Sequence, residues 1–384
     1  MSELKKIIDA YTSTDFKVQK AALATVIKVT GSSYRGPGAR MYITDDGKWV
    51  GCISGGCLEG DALRKSRKVM NEGVPQMVTY DTTEENNSLG VGLGCEGIIH
   101  VLLEPVTLES DIMRHLGWVN SRGNITAIAT VFEVSGSEGE IKVSDHWLLD
   151  GKNTSLNSLK LDIEENLNEV VASHKSFIKH HEIPHGTIGV FYELFEPPVK
   201  LLIFGGGFDA QPVVALATQL GWRVSVVDEC VAHLLPLNFP QAELVSCKRD
   251  SIVTDVSIEP YSAAVLMSHS YAYDYSVLKS LIATQINYVG ILGPKKKGDK
   301  MMQQLLKEGV NFTSEITNRI HYPIGLDIGA DTPEEIAVSI IAEIKAKFSG
   351  RTGRFLKQRK TSIHDKKGEL GEISKQSYHR QIVN

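Results

Sequence analysis

Apolar and amphipathic segments alternate along residues 200–347, and this alternation constrains the fold more than any other feature of the chain. Residues 201–204 are a short apolar run that predicts a buried strand, and residues 209–220 have the pattern of a helix. Further strands are predicted at 224–228, 242–246, 263–267 and 288–291, with helices between several of them. Buried strands that alternate with helices predict a doubly wound parallel sheet of the Rossmann type.

The turn after the first of these strands has the spacing of a dinucleotide-binding loop. Gly205, Gly207 and Ala210 form the glycine pattern, and Asp228 follows at the end of the next strand, where it would contact a ribose hydroxyl. NAD or another nucleotide is therefore a candidate ligand, although Asp209 would repel a pyrophosphate. His269 follows the strand at 263–267 and is a candidate acid–base group; the alternative is a hydrogen-bonded loop histidine.

Three glycine-rich stretches lie in the first 97 residues, at 31–40, 51–61 and 90–97. A predicted strand, a hairpin and a helix separate them, so this part of the chain is expected to be an α+β domain with its glycine loops at strand ends. Glycine lets backbone N–H groups approach a ligand closely. The three stretches are interpreted as one composite pocket, and the alternative is three tight turns.

Arginine and cysteine stand among these glycines. Arg35 and Arg40 are candidate anion clamps or, alternatively, surface salt-bridge partners. The backbone N–H groups around Ser54, Gly55 and Gly56 would share an anionic ligand, and Gly94 belongs to the same predicted site. The thiols of Cys57 and Cys95 could bind a soft metal centre or accept sulfur, or else pack as small apolar side chains.

The strings at 31–40, 53–61 and 92–97, together with 324–337, resemble the XdhC/CoxI family. The resemblance covers roughly residues 15–105 and 200–351. It implies an accessory factor that binds molybdenum cofactor (molybdopterin) and delivers it to a molybdenum hydroxylase such as xanthine dehydrogenase. It also implies contact with a cofactor sulfurase and a homodimer.

The expected domains are an N-terminal XdhC/CoxI-type α+β domain at 1–198, a Rossmann-like domain at 199–351 and a polar, basic tail at 352–384. Within the first domain, residues 107–195 carry no signature. The histidine-rich stretch at 180–185 is expected to be an exposed loop rather than a metal site. A non-catalytic accessory factor is favoured over the alternative, an NAD-dependent oxidoreductase.

Composition limits the other function classes. The 384-residue chain has a net charge of −5, which argues against general nucleic-acid binding. No apolar run has the length of a membrane helix and the N-terminus does not resemble a signal peptide, so a cytoplasmic protein is expected. The five cysteines are then interpreted as thiols rather than as a disulfide framework.

Overall fold

The structure is a computed structural model, and it describes residues 3–82, 97–136, 141–149, 162–183 and 186–359. These residues form two compact units, Glu3–Pro197 and a second that begins at Pro198. The predicted fold class is confirmed, because the first unit is α+β and the second contains a parallel Rossmann sheet.

The first sheet of the N-terminal unit is antiparallel, with five strands in the order β3-β2-β1-β5-β4. Its strands and helices are α1 (Glu3–Ser13), β1 (Ala21–Gly31), β2 (Arg40–Thr44), β3 (Trp49–Gly51), α2 (Glu59–Glu72), β4 (Gln76–Asp81) and β5 (Gly97–Val106). Helix α2 packs its apolar side, which includes Ala62 and Val69, on the core of this sheet. The glycine-rich stretches follow β1 and β3, as the sequence predicts for loops at strand ends.

A second antiparallel sheet occupies most of the stretch without a sequence signature. Its four strands have the order β7-β6-β9-β8. The elements are α3 (Asp111–Ser121), β6 (Thr126–Ser135), β7 (His146–Leu148), α4 (Ile163–Ser173), β8 (Phe177–Ile183) and β9 (Gly186–Phe195). The expected exposed loop at 180–185 is wrong for its first part, because His180 and His181 lie in β8. His181 is buried, and its Nε2 lies 2.8 Å from the Tyr192 hydroxyl. Side chains of a strand point alternately to its two faces, and His181 lies on the buried face.

The two sheets share an apolar cluster within the N-terminal unit. Leu23 and Tyr42 of the first sheet pack with Ile128, Leu148 and Phe195 of the second. Polar groups cross the same layer: His146 Nε2 lies 2.7 Å from Glu104 Oε1, and both side chains are buried. Buried polar groups need hydrogen-bond partners, so this contact helps fix how the two sheets meet.

All six strands of the C-terminal sheet are parallel, in the order β12-β11-β10-β13-β14-β15. The elements are β10 (Lys200–Phe204), α5 (Ala210–Gln219), β11 (Arg223–Asp228), β12 (Glu243–Ser246), α6 (Ile252–Asp255), β13 (Ser262–Leu266), α7 (Tyr271–Ile282), β14 (Tyr288–Ile291), α8 (Lys295–Lys307), α9 (Ser314–Thr317), β15 (Ile320–His321) and α10 (Pro333–Phe348). This is the strand order of the dinucleotide-binding fold, in which the chain reverses direction across the sheet between the first and fourth strands.

Helices cover both faces of this sheet. Helices α5 and α10 contribute to the apolar core on one face, through residues such as Val213 and Ile340. Helices α7 and α8 contribute to the other, through Leu278 and Met301. Strands buried on both faces explain the continuous apolar runs in the sequence. Helix α10 begins with a capping box, in which Thr332 accepts from the N–H of Glu335.

Two expectations concern the basic tail and membrane-spanning helices. Most of the predicted basic tail, from residue 360 onward, lies outside the described residues. Among the helices that the structure describes, none has the length and apolar character needed to cross a membrane.

Candidate functional site

The loop at residues 51–58, between β3 and α2, will be called the first glycine loop. Gly55 and Gly56 have φ values of +106° and +122°, a region that L side chains rarely adopt. A Cβ atom on Gly55 would also lie 2.8 Å from the ring of Tyr34, which covers the loop. Glycine at position 55 thus serves both the turn and the close approach of the preceding loop.

The backbone N–H groups of the first glycine loop converge on one carboxylate, that of Glu59 at the start of α2. The five donors, at 2.8–3.2 Å, are the N–H groups of Ile53, Ser54, Gly55, Gly56 and Leu58. The Ser54 hydroxyl donates to Glu59 Oε2 at 2.6 Å. Burial alone would raise the pKa of Glu59, but the hydrogen bonds from Ser54 and the loop outweigh burial and lower it to about 2.

Glu59 therefore occupies the anion position that the sequence assigns to a ligand. The loop has the predicted inward-facing amides, but the chain supplies the negative charge itself. This role of Glu59 was not predicted from the sequence, because the hydrogen bonds run backward from α2 onto residues that precede the helix. An acidic residue three positions after a Ser-Gly-Gly turn is the signal that could have revealed this role.

The two cysteines of the first glycine loop have different environments. Cys52 is partly buried and donates from Sγ to Glu59 Oε1 at 3.3 Å. Burial, and then the hydrogen bond and charge of Glu59, raise the pKa of the Cys52 thiol. Cys57 is exposed to solvent beside the start of α2. Only Cys57 of these two therefore presents its thiol to a ligand. The predicted site residues Gly94 and Cys95 lie outside the described residues.

Arg40 pairs with a carboxylate of its own chain. Its side chain is 5 % exposed, and the guanidinium makes a two-pronged contact with Glu193 of β9, in which Nη1 donates to Oε1 at 2.8 Å. Nη1 also donates to the carbonyl of Gly38 at 3.0 Å. Burial would lower the pKa of Arg40, but Glu193 raises it above the usual value. The anion that Arg40 was predicted to clamp is therefore Glu193, a partner 153 positions away that sequence spacing could not reveal.

Arg35 lies in the loop between β1 and β2 and also has an internal partner. Its Nη2 donates to Glu3 Oε2 at 2.5 Å, in a half-exposed salt bridge. This is the alternative that the sequence left open for a lone arginine. An anionic ligand at Arg35 would have to compete with Glu3, and such exposed pairs are weak.

The described parts of the second and third glycine-rich stretches each contact the first stretch, and a composite pocket stays a prediction. The N–H of Cys52 donates to the carbonyl of Arg40 at 2.9 Å, which joins the second stretch to the first. A Cβ on Gly97, the last residue of the third stretch, would lie 2.3 Å from the carbonyl oxygen of Ser32. The second stretch therefore contacts the last residue of the first stretch, and the third stretch contacts its beginning.

Residues 205–209, between β10 and α5, form the second glycine loop. Gly205 has a φ of +121°, and a Cβ there would lie 2.5 Å from Cα of Ser268. Gly206 donates its N–H to Asp228 Oδ2 at 2.8 Å. Asp228 lies at the end of β11, where the fingerprint predicts, and is also bound by the N–H of Cys230 and by His233. The geometry of a dinucleotide fold is thus present on this side of the loop.

Asp209 and His269 face each other across the ends of β10 and β13. His269 Nε2 lies 3.0 Å from Asp209 Oδ2, whereas Asp209 Oδ1 is buried and has no hydrogen-bond partner in the described part of the chain. His269 has a φ of +59°, which is unusual for a residue other than glycine. The side chain of His269 is 69 % exposed. His269 is exposed, has a strained backbone and is paired with a carboxylate at the carboxyl ends of two central strands. This combination is consistent with a binding or proton-transfer role.

The loop that carries His269 is held from beneath by a buried ion pair. The Ser268 hydroxyl donates to Asp274 Oδ1 at 2.6 Å, and Lys297 Nζ donates to Asp274 Oδ2 at 2.6 Å and to the carbonyl of Leu292 at 2.9 Å. Asp274 is completely buried. Lys297 is therefore used inside the protein, where it fixes the position of the loop.

No group of three or more His, Cys, Asp or Glu side chains within the described ranges is arranged to hold a metal ion. The pairs described above, Asp209 with His269 and Asp228 with His233, each combine only one carboxylate with one imidazole.

Comparison with known proteins identifies relatives of both units. The family model described as the XdhC Rossmann domain matches residues 201–344, and the model of the XdhC and CoxI family matches residues 17–81. A crystal structure described as a xanthine dehydrogenase from Bacillus halodurans is 30 % identical, with a TM-score of 0.73. The match covers 92 % of this chain and 97 % of that one.

Two curated bacterial proteins are similar over most of their length. One, from Bacillus subtilis, is described as a probable xanthine dehydrogenase subunit; it is 29 % identical over 331 residues, which is 85 % of this chain and 92 % of that protein. The molybdenum cofactor insertion chaperone PaoD of Escherichia coli is 22 % identical over 324 residues, or 84 % of this chain and 82 % of its own. With matches of this extent in both units, the chain belongs to the XdhC/CoxI family.

Proposed function

We propose that this protein binds molybdenum cofactor and delivers it to a molybdenum hydroxylase of the xanthine dehydrogenase type. The descriptions of two relatives support this role, since the Bacillus subtilis protein is a probable xanthine dehydrogenase subunit, whereas PaoD is a molybdenum cofactor insertion chaperone. The protein acts as an accessory factor, and the cofactor is its cargo. Contact with a cofactor sulfurase, a homodimeric state and a cytoplasmic location complete the proposal.

The observation that carries the proposal is the exposed thiol of Cys57 on a loop that Glu59 holds rigid. Thiolates suit soft metal centres, and a preorganised loop loses little entropy when a ligand binds. The metal end of the cofactor is therefore assigned to Cys57, with Ser54, Gly55 and Gly56 as the frame that presents it. Gly94 and Cys95 are proposed to complete the site.

The arginines have a supporting role in this proposal. Arg40 anchors the first glycine loop, because its carbonyl holds the N–H of Cys52 while its guanidinium is bound to Glu193. Arg35 remains a proposed contact for the phosphate of the cargo, since its exposed bond to Glu3 can be exchanged. This division assigns the metal end and the phosphate end to different side chains.

The test is an anaerobic titration of the full-length protein with molybdenum cofactor, in wild type and in Cys57→Ser. We expect Cys57→Ser to bind at least about tenfold more weakly, which corresponds to about 1.4 kcal/mol. Cys230→Ser is the matched control, because Cys230 is also an exposed thiol but belongs to the other unit. Absence of binding by the wild type, or equal losses in both variants, would contradict the proposal.

A second candidate function is an NAD-dependent oxidoreductase that uses His269. The strand order and the position of Asp228 beside Gly206 favour it. It requires that NADH binds to the C-terminal unit and transfers hydride to a carbonyl compound. A titration of the wild type with NADH separates the candidates, because the accessory factor does not need this cofactor.

A further inference from the structure

Tyr34 is an exposed aromatic residue at the first glycine loop, and its role in the proposed site has not yet been assigned. It lies in the glycine-rich stretch between β1 and β2, and it is 66 % exposed to solvent. An aromatic side chain stabilises a fold mainly through the apolar area that it buries. A ring that stays this exposed contributes little to folding and is available for contact with a ligand.

One face of the Tyr34 ring lies against the first glycine loop. A Cβ on Gly55 would be 2.8 Å from Cδ1 of the ring, 3.1 Å from Cγ and 3.2 Å from Cε1. An atom in the plane of the ring would be much farther from Cγ and Cε1 than from Cδ1. The similar distances therefore place Gly55 above the ring face. Because Tyr34 is mostly exposed, the opposite face of its ring is open to solvent.

The support beneath the ring is part of the loop that Glu59 holds. Gly55 donates its N–H to Glu59 Oε1 at 3.2 Å, and its φ of +106° together with the close ring contact requires glycine at this position. A side chain that rests on a fixed loop loses less freedom when a ligand binds than a side chain that moves freely. The Tyr34 ring is thus a preorganised flat surface.

Bare backbone and a thiol continue this surface. A Cβ on Gly56 would meet no atom of the described residues within 4 Å, so the loop is open beside the ring. The exposed thiol of Cys57 follows directly. Two peptide units separate Gly55 from Cys57, which keeps their Cα atoms within about 8 Å of each other. A ligand of the size of a pterin cofactor that binds Cys57 can therefore also reach Tyr34.

The open face of an aromatic ring favours one kind of contact. Aromatic rings prefer offset stacking with other flat conjugated rings, and protein aromatic side chains stack on the flat rings of nucleobases in the same way. The pterin of molybdenum cofactor contains a flat pyrimidinone ring of this type, and the metal lies at the other end of the cofactor. Contacts at the ring and at the metal would together fix the orientation of the cargo.

We infer that the outer face of the Tyr34 ring stacks on the pyrimidinone ring of a pterin ligand whose metal end binds Cys57. The identity of the ligand rests on the proposed function, whereas the stacking contact rests on the geometry of Tyr34 and Gly55. Tyr34 is here a binding residue that orients the cargo, and its aromatic ring rather than its hydroxyl makes the contact.

The test titrates the full-length protein anaerobically with molybdenum cofactor and, separately, with 6-hydroxymethylpterin, which has the ring but no metal. Tyr34→Phe keeps a flat ring, and Tyr34→Leu keeps an apolar side chain without one. We expect Tyr34→Phe to retain both affinities within about twofold and Tyr34→Leu to bind both ligands at least about tenfold more weakly. Cys57→Ser should weaken binding of the cofactor and leave binding of the metal-free pterin within about twofold.

Trp49→Leu is the matched control, because Trp49 is another exposed aromatic residue of this unit and lies in β3, outside the first glycine loop. Urea unfolding should show that Tyr34→Leu is as stable as the wild type, since the side chain is exposed.

Four results would overturn the inference: no binding of 6-hydroxymethylpterin by the wild type, unchanged affinities in Tyr34→Leu, equal losses in Tyr34→Phe and Tyr34→Leu, or equal losses in Tyr34→Leu and Trp49→Leu. The proposed function fails separately, if the wild type does not bind the cofactor. If Cys57→Ser weakens binding of the cofactor and Tyr34→Leu does not, the proposed function stands and the stacking contact is wrong.

Discussion

The two glycine loops of this protein differ in how many hydrogen-bond donors bind the acidic side chain of each loop. Each places an acidic side chain of its own against a glycine-rich turn: Glu59 in the first and Asp209 in the second. Glu59 accepts from five backbone N–H groups, a hydroxyl and a thiol. Asp209 has His269 as its partner and keeps one oxygen unpaired in the described residues.

This difference separates a carboxylate with many donors from one with few. The hydrogen-bonding capacity of Glu59 is consumed, so the first loop is a rigid frame and what it offers to solvent is the thiol of Cys57. The capacity of Asp209 is only partly used in the described residues, because Oδ2 is bound to His269 and Oδ1 is buried without a partner. Two glycine-rich turns can therefore hold an acidic side chain of the same chain in different ways.

The largest expected effect comes from removing the anchor of the first loop. Arg40→Met would leave Glu193 as an unpaired buried charge, which costs about 3–5 kcal/mol of unfolding free energy. Urea unfolding followed by tryptophan fluorescence measures this loss. Arg35→Met is the matched control, since its half-exposed bond to Glu3 is worth below about 1 kcal/mol. Similar losses in both variants would show that Arg40 is not the anchor.

A direct test of the comparison replaces each carboxylate by its amide. Glu59→Gln puts an N–H group among donors and removes a charged acceptor, so we expect a loss of about 3 kcal/mol in the same unfolding experiment. For Asp209→Asn we expect less than about 1 kcal/mol, because few protein donors depend on it. The comparison breaks down if the second substitution costs as much as the first.

A further effect of the Glu59 charge appears in acid. The pKa of Glu59 is lowered in the folded protein to about 2, so its contribution to stability is complete above the ordinary value of about 4.5 and disappears as the pH falls toward 2. Over this window the unfolding free energy of the wild type should fall more steeply than that of Glu59→Gln. Parallel profiles, measured by urea unfolding at a series of pH values, would contradict the assignment of the charge to Glu59.

The C-terminal unit could be predicted from sequence because its signals are local. Residues 201–204 and 224–228 are apolar runs bounded by turn residues, and Thr332 with Glu335 forms a capping box within four positions. The order of the strands then follows from the fold type. The position of Asp228 could be predicted for the same reason, because the acidic residue of the dinucleotide-binding pattern falls at the end of a predicted strand.

The candidate site of the N-terminal unit was only partly predictable. The glycine loops and Cys57 are visible in the sequence, but the internal partners of the predicted anion-binding groups are not. Glu193 and Arg40 are 153 positions apart, and Glu59 turns back onto residues that precede its own helix. Strand β8 was not predicted, because polar residues such as His180 and His181 hide the alternation of apolar and polar side chains that indicates a strand.

The Arg40–Glu193 pair also sets an order of events for a newly made chain. Strand β2 leaves the ribosome about 150 residues before β9, and until then Arg40 has no Glu193 to neutralise it. A guanidinium without its counter-charge opposes burial in an apolar layer. The chain can therefore bury Arg40 beside its counter-charge only after β9 has been made, and we expect a chain truncated before residue 193 to be cut more readily by proteases.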